Sequence, residues 1–282
     1  MSSTSIESAE KDLSLSATKP RALIWDLGGV LTGVSWKRYS YCIGLRAFLL
    51  YIAADWRLPF TIKNRAFEVL RSVRVPDHII CPVGPGLPGG ESMPPLMVAY
   101  QSGLLNRDEI LPLAHDTLAR VAQEGYFSSR FEQALITRMI DEIFNPETLV
   151  FSHYVVPEGV ELICTLASQT FSDGTPRYKL YVLSNWDPVS FDSIYKTCSS
   201  LFTYFDGIVV SGVVGLMKPS FAIFDHIIHT YELDKATSVF VDDQPENIAA
   251  AQGYGIGTPI LFKNFTQLKR DLLKEGIDTG TR

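Results

Sequence analysis

A chain of 282 residues, 46% hydrophobic and 20% charged, carries enough apolar material for one sizeable core or for a core domain with a smaller companion. Its formal net charge of -6, with no Lys/Arg cluster, argues against a nucleic-acid partner, and no apolar run reaches membrane-spanning length. Cys42, Cys81, Cys164 and Cys198 lack CxxC spacing, so buried free thiols are expected in place of a zinc site or a disulfide framework.

Residues 1–20 are rich in Ser and Glu and lack the apolar core of a secretory signal; they read as a flexible tail on a cytoplasmic protein. The apolar run Ala22 to Trp25 then reads as a strand buried on both faces. It delivers one carboxylate, Asp26, and breaks on Gly28-Gly29, which lets the chain turn away at once. Asp26 therefore belongs at the carboxyl edge of a sheet, where open α/β sheets bind ligands. By itself an Asp after a strand is as often a turn former or a helix cap.

The character changes after Leu31. Helical patterns run from Trp36 to Trp56, Ile62 to Val73, Pro95 to Gln101, Asn106 to Gln123 and Ser128 to Ile143, with a Pro/Gly-rich connection between Pro76 and Pro95. No strand-like run interrupts them. From Pro157 strands and helices alternate, with strands expected at Lys179–Leu183, Gly207–Val210, Ser238–Val241 and Pro259–Phe262. Such alternation implies a mostly parallel sheet covered on both faces. The expected fold class is α/β: a Rossmann-like parallel-sheet core from residues 21–33 and 151–282, with an all-helical cap inserted at 34–150.

Three more polar groups stand where Asp26 stands. Ser184-Asn185-Trp186 ends one strand, Asp242-Asp243 ends another, and Lys218 precedes a helix start. In a parallel sheet these ends share one edge and converge on one crevice. Each has a plainer reading: a turn for Ser184-Asn185, a solvated charge for Lys218, helix caps for Asp242-Asp243. Two adjacent acids after a buried strand resist that reading, because like charges raise one another's pKa unless a cation sits between them.

Together, WDLGGVL, LSN, the lysine of GLMKPS and VDDQPEN resemble the four motifs of the haloacid dehalogenase superfamily, in order and spacing, from about residue 21 to residue 275. The helical block after the first motif resembles that family's small cap. The resemblance implies a Mg²⁺-dependent phosphohydrolase acting on a small phosphorylated metabolite through an aspartyl-phosphate. Carried over position by position, Asp26 would be the nucleophile, and Ser184 and Asn185 would bond the phosphoryl oxygens. Lys218 would neutralise nucleophile and phosphate. Asp26, the Gly28 carbonyl and Asp243 would hold Mg²⁺, with Asp242 and Asn247 supporting the site. Trp186 is the first aromatic expected to touch substrate.

One position departs from the pattern. Many phosphatases of the family carry a second Asp two residues after the nucleophile, as general acid and base; here Gly28 stands there. Loss of such a group costs about 10²–10⁴-fold in rate. Three alternatives follow: a diphosphate-handling terpenoid-type enzyme, a non-hydrolytic binding or regulatory module, and a carbon-halogen hydrolase. The last is opposed by the paired acids. Trp36, Tyr39, Phe48, Leu49, Tyr51, Trp56 and Phe60 could line a site for a lipid-like phosphate, although an amphipathic cap helix packed on its neighbours needs the same residues. His78, His115, His153, His226 and His229 show no metal-ligand spacing and are not expected to be catalytic. The sequence carries no signal for oligomeric state.

Overall fold

The computed structural model of the chain describes residues 20–55, 62–79 and 93–280. The expected N-terminal tail up to residue 19, most of the Pro/Gly-rich connection, Cys81, Trp56 and Phe60 lie outside the described residues.

In chain order among the described residues, β1 (Arg21–Trp25) and β2 (Thr32–Val34) lead into the helices α1 (Trp36–Ile43), α2 (Leu45–Asp55), α3 (Ile62–Arg71), α4 (Pro95–Gln101), α5 (Arg107–Gln123), α6 (Arg130–Ile143) and α7 (Pro146–Ser152). There follow β3 (His153–Val155), α8 (Pro157–Ala167), β4 (Tyr178–Ser184), α9 (Pro188–Thr197), α10 (Ser199–Phe202), β5 (Gly207–Val210) and α11 (Ser211–Val214). The chain closes with α12 (Phe221–Thr230), β6 (Val239–Asp242), α13 (Pro245–Tyr254), β7 (Thr258–Leu261) and α14 (Phe265–Lys274).

Five strands form one parallel sheet in the order β5-β4-β1-β6-β7, the α/β architecture expected from the sequence. The central strands are apolar over their inner stretches, residues 22–25, 180–183 and 239–241, because both faces are covered there. Leu23 and Trp25, Leu180 and Val182, and Val239 and Val241 enter one core, while Ile24, Tyr181, Leu183 and Phe240 enter the core on the opposite face. β1 sits in the middle, with β4 on one side and β6 on the other, so the ends of these three strands meet in one crevice.

The helices α1 to α6 bury a third core of their own, with Tyr39, Tyr51, Leu70, Leu96, Leu118, Ile136 and Phe144 in it. Tyr39 and Tyr51 are therefore packing residues, as the plainer reading of that greasy stretch requires, and Tyr39 Oη donates to the Met139 carbonyl at 2.9 Å. Leu49 is exposed.

Several features differ from the sequence reading. The helix expected over Trp36–Trp56 breaks at Gly44, whose φ of 97° is open to glycine and whose N–H donates to the Ser40 and Tyr41 carbonyls. An antiparallel ribbon, β2 with β3, ties the two ends of the helical block together, with Val34 opposite His153 and Thr32 opposite Val155. Each of its strands is three residues long, too short to show a period of its own. Cys42, Cys164 and Cys198 are free, half-buried where full burial was expected. Among the described residues no helix is long and apolar enough to cross a membrane.

Candidate active site at the carboxyl edge of the sheet

β1 ends on Asp26, whose N–H still donates to the Val241 carbonyl of β6 at 2.9 Å. The loop then folds tightly over Leu27, whose carbonyl accepts from Leu31 N at 2.9 Å and Thr32 N at 2.7 Å. Gly29 makes this turn possible: its φ is 77°, and a Cβ there would collide with the Asp243 carboxylate.

The sheet edge brings Lys218 to Asp26 and Asp242. Its ammonium lies 2.8 Å from Asp26 Oδ1 and 2.7 Å from Asp242 Oδ2, and the residue is only 2% exposed. The solvated-charge reading of Lys218 is therefore wrong; a buried ammonium is tolerated only with such partners. Its backbone is fixed as well. Asn185 donates from Nδ2 to the Lys218 carbonyl at 2.8 Å and accepts the Lys218 N–H on Oδ1 at 2.9 Å. The Asn185 amide thus meets the chain next to Lys218, which occupies both ends of the group expected to bond a phosphoryl oxygen. Ser184 lies buried at the end of β4, beside it.

Asp242 is fully buried and surrounded by donors. Its Oδ1 accepts from Gln244 N at 2.8 Å, and Asn247 Nδ2 lies 3.0 Å from each of its oxygens. It therefore steadies the start of α13 as well as Lys218. Asp243 is half-buried, touched by Gln244 Nε2 at 3.0 Å on Oδ2, and turned toward the Gly29 loop.

Asp26, Asp242 and Asp243 each present a carboxylate oxygen within 4.8 Å of the others. One ammonium against three carboxylates leaves an excess of negative charge in a mostly buried place. Burial pushes the Asp26 carboxyl up to about 7, a rise that Lys218 opposes and that Asp242 and Asp243 reinforce. Burial and the neighbouring Asp242 push Asp243 upward too. Burial works against the charge on Lys218, yet Asp242 and Asp26 outweigh it and hold the ammonium above the ordinary lysine range. An all-oxygen set of excess negative charge fits a hard divalent cation such as Mg²⁺, and Asp26 and Asp243 are the members with fewest protein partners.

A cavity of about 330 Å³ opens between the sheet edge and the helices; it reaches Gly28 and Asn185, the neighbours of the cluster, while the cluster side chains themselves do not line it. Gly28, Asn185, Trp186 and Asp187 line it from the sheet side; Trp36, Tyr39, Phe67, Met97, Met139 and Phe144 line it from the helices. The helical wall is largely apolar. Trp36 and Tyr39 thus touch the cavity as well as their helical neighbours. The Trp186 ring packs on His153, with centroids 5.0 Å apart. His153 was not expected at the site, and no motif marks it. It follows α7, whose Leu149 and Ser152 also line the cavity, and the ribbon pairs it with Val34. His229 is exposed and His226 half-buried on α12, as expected of a helix surface.

Residues 105–255 match the family described as haloacid dehalogenase-like hydrolase, a stretch that includes Ser184, Asn185, Lys218, Asp242 and Asp243. The chain belongs to that family. It is a hydrolase with an α/β core, and the carboxylate cluster lies at the strand ends of that core.

Two fungal relatives share short stretches with this family member. The sesquiterpene phosphatase astK of Aspergillus oryzae is 38% identical over 52 residues, 18% of this chain and 26% of the relative. The drimenol cyclase drtB of Aspergillus calidoustus is 30% identical over 94 residues, 33% of this chain and 17% of the relative. The matches thus span about a quarter and about a sixth of those proteins. In fold, the chain is similar to the HAD family enzyme bt-2542 of Bacteroides thetaiotaomicron, with a TM-score of 0.55 and 16% identity over 89% of this chain and 98% of that one. The magnesium complex of that enzyme matches with a TM-score of 0.52 at 18% identity, again over 89% and 98% of the two chains.

Proposed function

We propose that the protein is a Mg²⁺-dependent phosphohydrolase that removes phosphate from a small molecule with an apolar organic part, through an aspartyl-phosphate on Asp26. The observation that carries this reading is the set of three carboxylates around one buried lysine, whose neighbours Gly28 and Asn185 stand in the wall of a largely apolar cavity.

Mg²⁺ held by Asp26, the Gly28 carbonyl and Asp243 would supply positive charge to the phosphoryl oxygens, with Asp242 and Asn247 behind it. Lys218 orients the Asp26 carboxylate through Oδ1 and offsets its repulsion of an incoming phosphate dianion. Asn185 holds Lys218 at the right depth by its two backbone bonds. Ser184 stands at the strand end as a hydroxyl for a phosphoryl oxygen. Phosphoryl transfer needs positioning and charge more than new covalent chemistry, which suits this inventory. Trp186 and the helical wall enclose the organic part and keep water away. The similarity to a sesquiterpene phosphatase supports an apolar organic part.

A second reading is favoured by Gly28, which brings no acid to the leaving oxygen, and by the similarity to a drimenol cyclase. In that reading the same crevice handles a diphosphate, a good leaving group that needs no proton. Phosphate release from a terpenoid alcohol monophosphate, its diphosphate and glycerol phosphate, with and without Mg²⁺, separates the two. Mg²⁺-dependent release from the apolar monophosphate, absent in D26N, is the expected result. Release from the diphosphate alone would move the second reading ahead.

A further inference from the structure

A phosphomonoester of an ordinary alcohol leaves as a strongly basic alkoxide, so its hydrolysis needs a proton at the leaving oxygen and a base for the attacking water. Gly28 offers neither. A Cβ at Gly28 would meet nothing within 4 Å, and Gly28 lines the cavity, so the space at this position, two residues after Asp26, is open. Asp26 and Asp242 are engaged with Lys218, and Asp26 and Asp243 would hold the cation of the proposed function.

The titratable groups on the cavity wall are Tyr39, Lys63, Tyr100, His153 and Asp187. Tyr39 gives its hydroxyl proton to the Met139 carbonyl, and burial drives both tyrosines above the ordinary phenol range. Asp187 caps α9, accepting Ser190 N at 2.8 Å, and is 2% exposed. Lys63 is exposed and spreads its ammonium over the Trp36 and Phe67 rings, 4.9 and 5.9 Å from their centroids. His153 differs from all of these. Its Nδ1 lies 2.5 Å from the Leu149 carbonyl, an obligate acceptor, so Nδ1 carries a proton and Nε2 is the atom left for exchange.

The ribbon also puts this ring beside the reacting loop. β2 follows directly from the loop of Asp26 and Gly28, Gly28 bridges to Thr32, and β3 pairs with β2 so that His153 stands opposite Val34. On its other side the ring rests on Trp186, the neighbour of Asn185. Arg38 bonds the His153 carbonyl at 3.3 Å, away from the ring nitrogens.

From this arrangement we propose that His153 moves the proton in both halves of the hydrolysis, in the role that Gly28 cannot fill; the proposal rests on the phosphohydrolase reading. In the first half an Asp26 oxygen bonds to phosphorus as the bond from phosphorus to the alcohol oxygen breaks. The electron pair goes to that oxygen, which takes the Nε2 proton of the imidazolium. In the second half water oxygen bonds to phosphorus, the water proton goes to Nε2, and the bond to Asp26 breaks with its electron pair returning to the carboxylate. One water is consumed, alcohol and phosphate leave, and His153 ends protonated as it began. Burial lowers the His153 pKa, which favours the neutral ring for the water step and makes the imidazolium of the first step a stronger acid but a scarcer form.

The test compares wild type, D26N, H153Q and H153Q/G28D on an unactivated alkyl phosphate and on p-nitrophenyl phosphate, whose leaving group needs little proton help. H153Q is expected to lose about 10²-fold or more on the alkyl ester. On p-nitrophenyl phosphate it should show a burst of nitrophenolate and then slow turnover, with phosphorylated enzyme accumulating. The aspartate of H153Q/G28D has room and should restore alkyl ester turnover, which a merely structural histidine would not allow. Wild-type rates in H153Q, or equal loss on both esters without burst or rescue, would overturn the proposal. A wild type inactive on both esters removes the phosphohydrolase reading and this proposal with it.

Discussion

Lys218 Nζ lies 2.8 Å from Asp26 Oδ1, in a place from which solvent is almost wholly excluded. The second carboxylate on that ammonium, Asp242, closes a buried acid-lysine-acid chain across the ends of β1 and β6. Such a chain positions charge more than it stabilises, since well-packed apolar residues often do as well for stability. Its conspicuous cost appears when one member is removed.

Lys218→Ala strips the ammonium and leaves buried carboxylates uncompensated. A loss of about 3–5 kcal/mol in unfolding free energy is expected, together with loss of turnover. Mg²⁺ should recover part of the stability by supplying positive charge. Urea unfolding with and without Mg²⁺ measures this, and an unchanged midpoint would contradict it.

Gly29→Ala places a methyl group against the Asp243 carboxylate, at a backbone φ of 77° that side chains rarely adopt. Asp243 must shift. Loss of a group that merely supports a metal ligand weakens affinity about 10–100-fold, so displacing Asp243, itself a proposed ligand, should weaken it at least about tenfold in a calorimetric Mg²⁺ titration. Wild-type affinity in this variant would take Asp243 out of the cation site.

Met97 is half-buried on the helical wall of the cavity. Met97→Trp fills part of its volume without touching the carboxylates. KM for a long apolar ester should rise by about tenfold or more, whereas small esters keep their kcat/KM. Equal effects on both would place the organic group elsewhere.

Away from the site, Glu132 is a buried acid in α6 that joins helical segments of the third core. Burial pushes its carboxyl upward, but the Ser128 N–H and hydroxyl, each at 2.7 Å, and Arg65 at 2.5 Å outweigh this and hold it below the ordinary 4.5. A lowered folded pKa stabilises the protein above pH 4.5, and that contribution is lost as pH falls through the folded value. Wild type should therefore exceed E132Q by about 1.5–3 kcal/mol near neutrality, and the gap should close in acid. A gap that does not vary with pH would contradict the ion-pair account.

Much of this was written locally in the chain. Apolar runs ending in Asp26, Ser184 and Asp242 announced a parallel sheet and its charged edge, because strands buried on both faces leave polar residues only at their ends. The break at Gly44 was hidden inside a continuous greasy stretch. The pairing of Asn185 with Lys218, 33 residues apart, uses side-chain bonds that no spacing rule encodes. Spacing among the histidines does not single out His153, because its ring partner Trp186 and its strand partner Val34 are distant in the chain and a three-residue strand gives no period to read. The role of the greasy helical residues was divisible only in three dimensions: Tyr51 is core, while Trp36 and Tyr39 also face the cavity.

The most direct test is to trap the phosphoryl group. Enzyme mixed with a radiolabelled apolar phosphomonoester and Mg²⁺, quenched in acid during turnover, should carry label on the peptide that contains Asp26. That label should be released by hydroxylamine, as an acyl phosphate is, and should be absent from D26N. Steady phosphate release by wild type with no label on that peptide, or with equal label on D26N, would contradict an aspartyl-phosphate on Asp26.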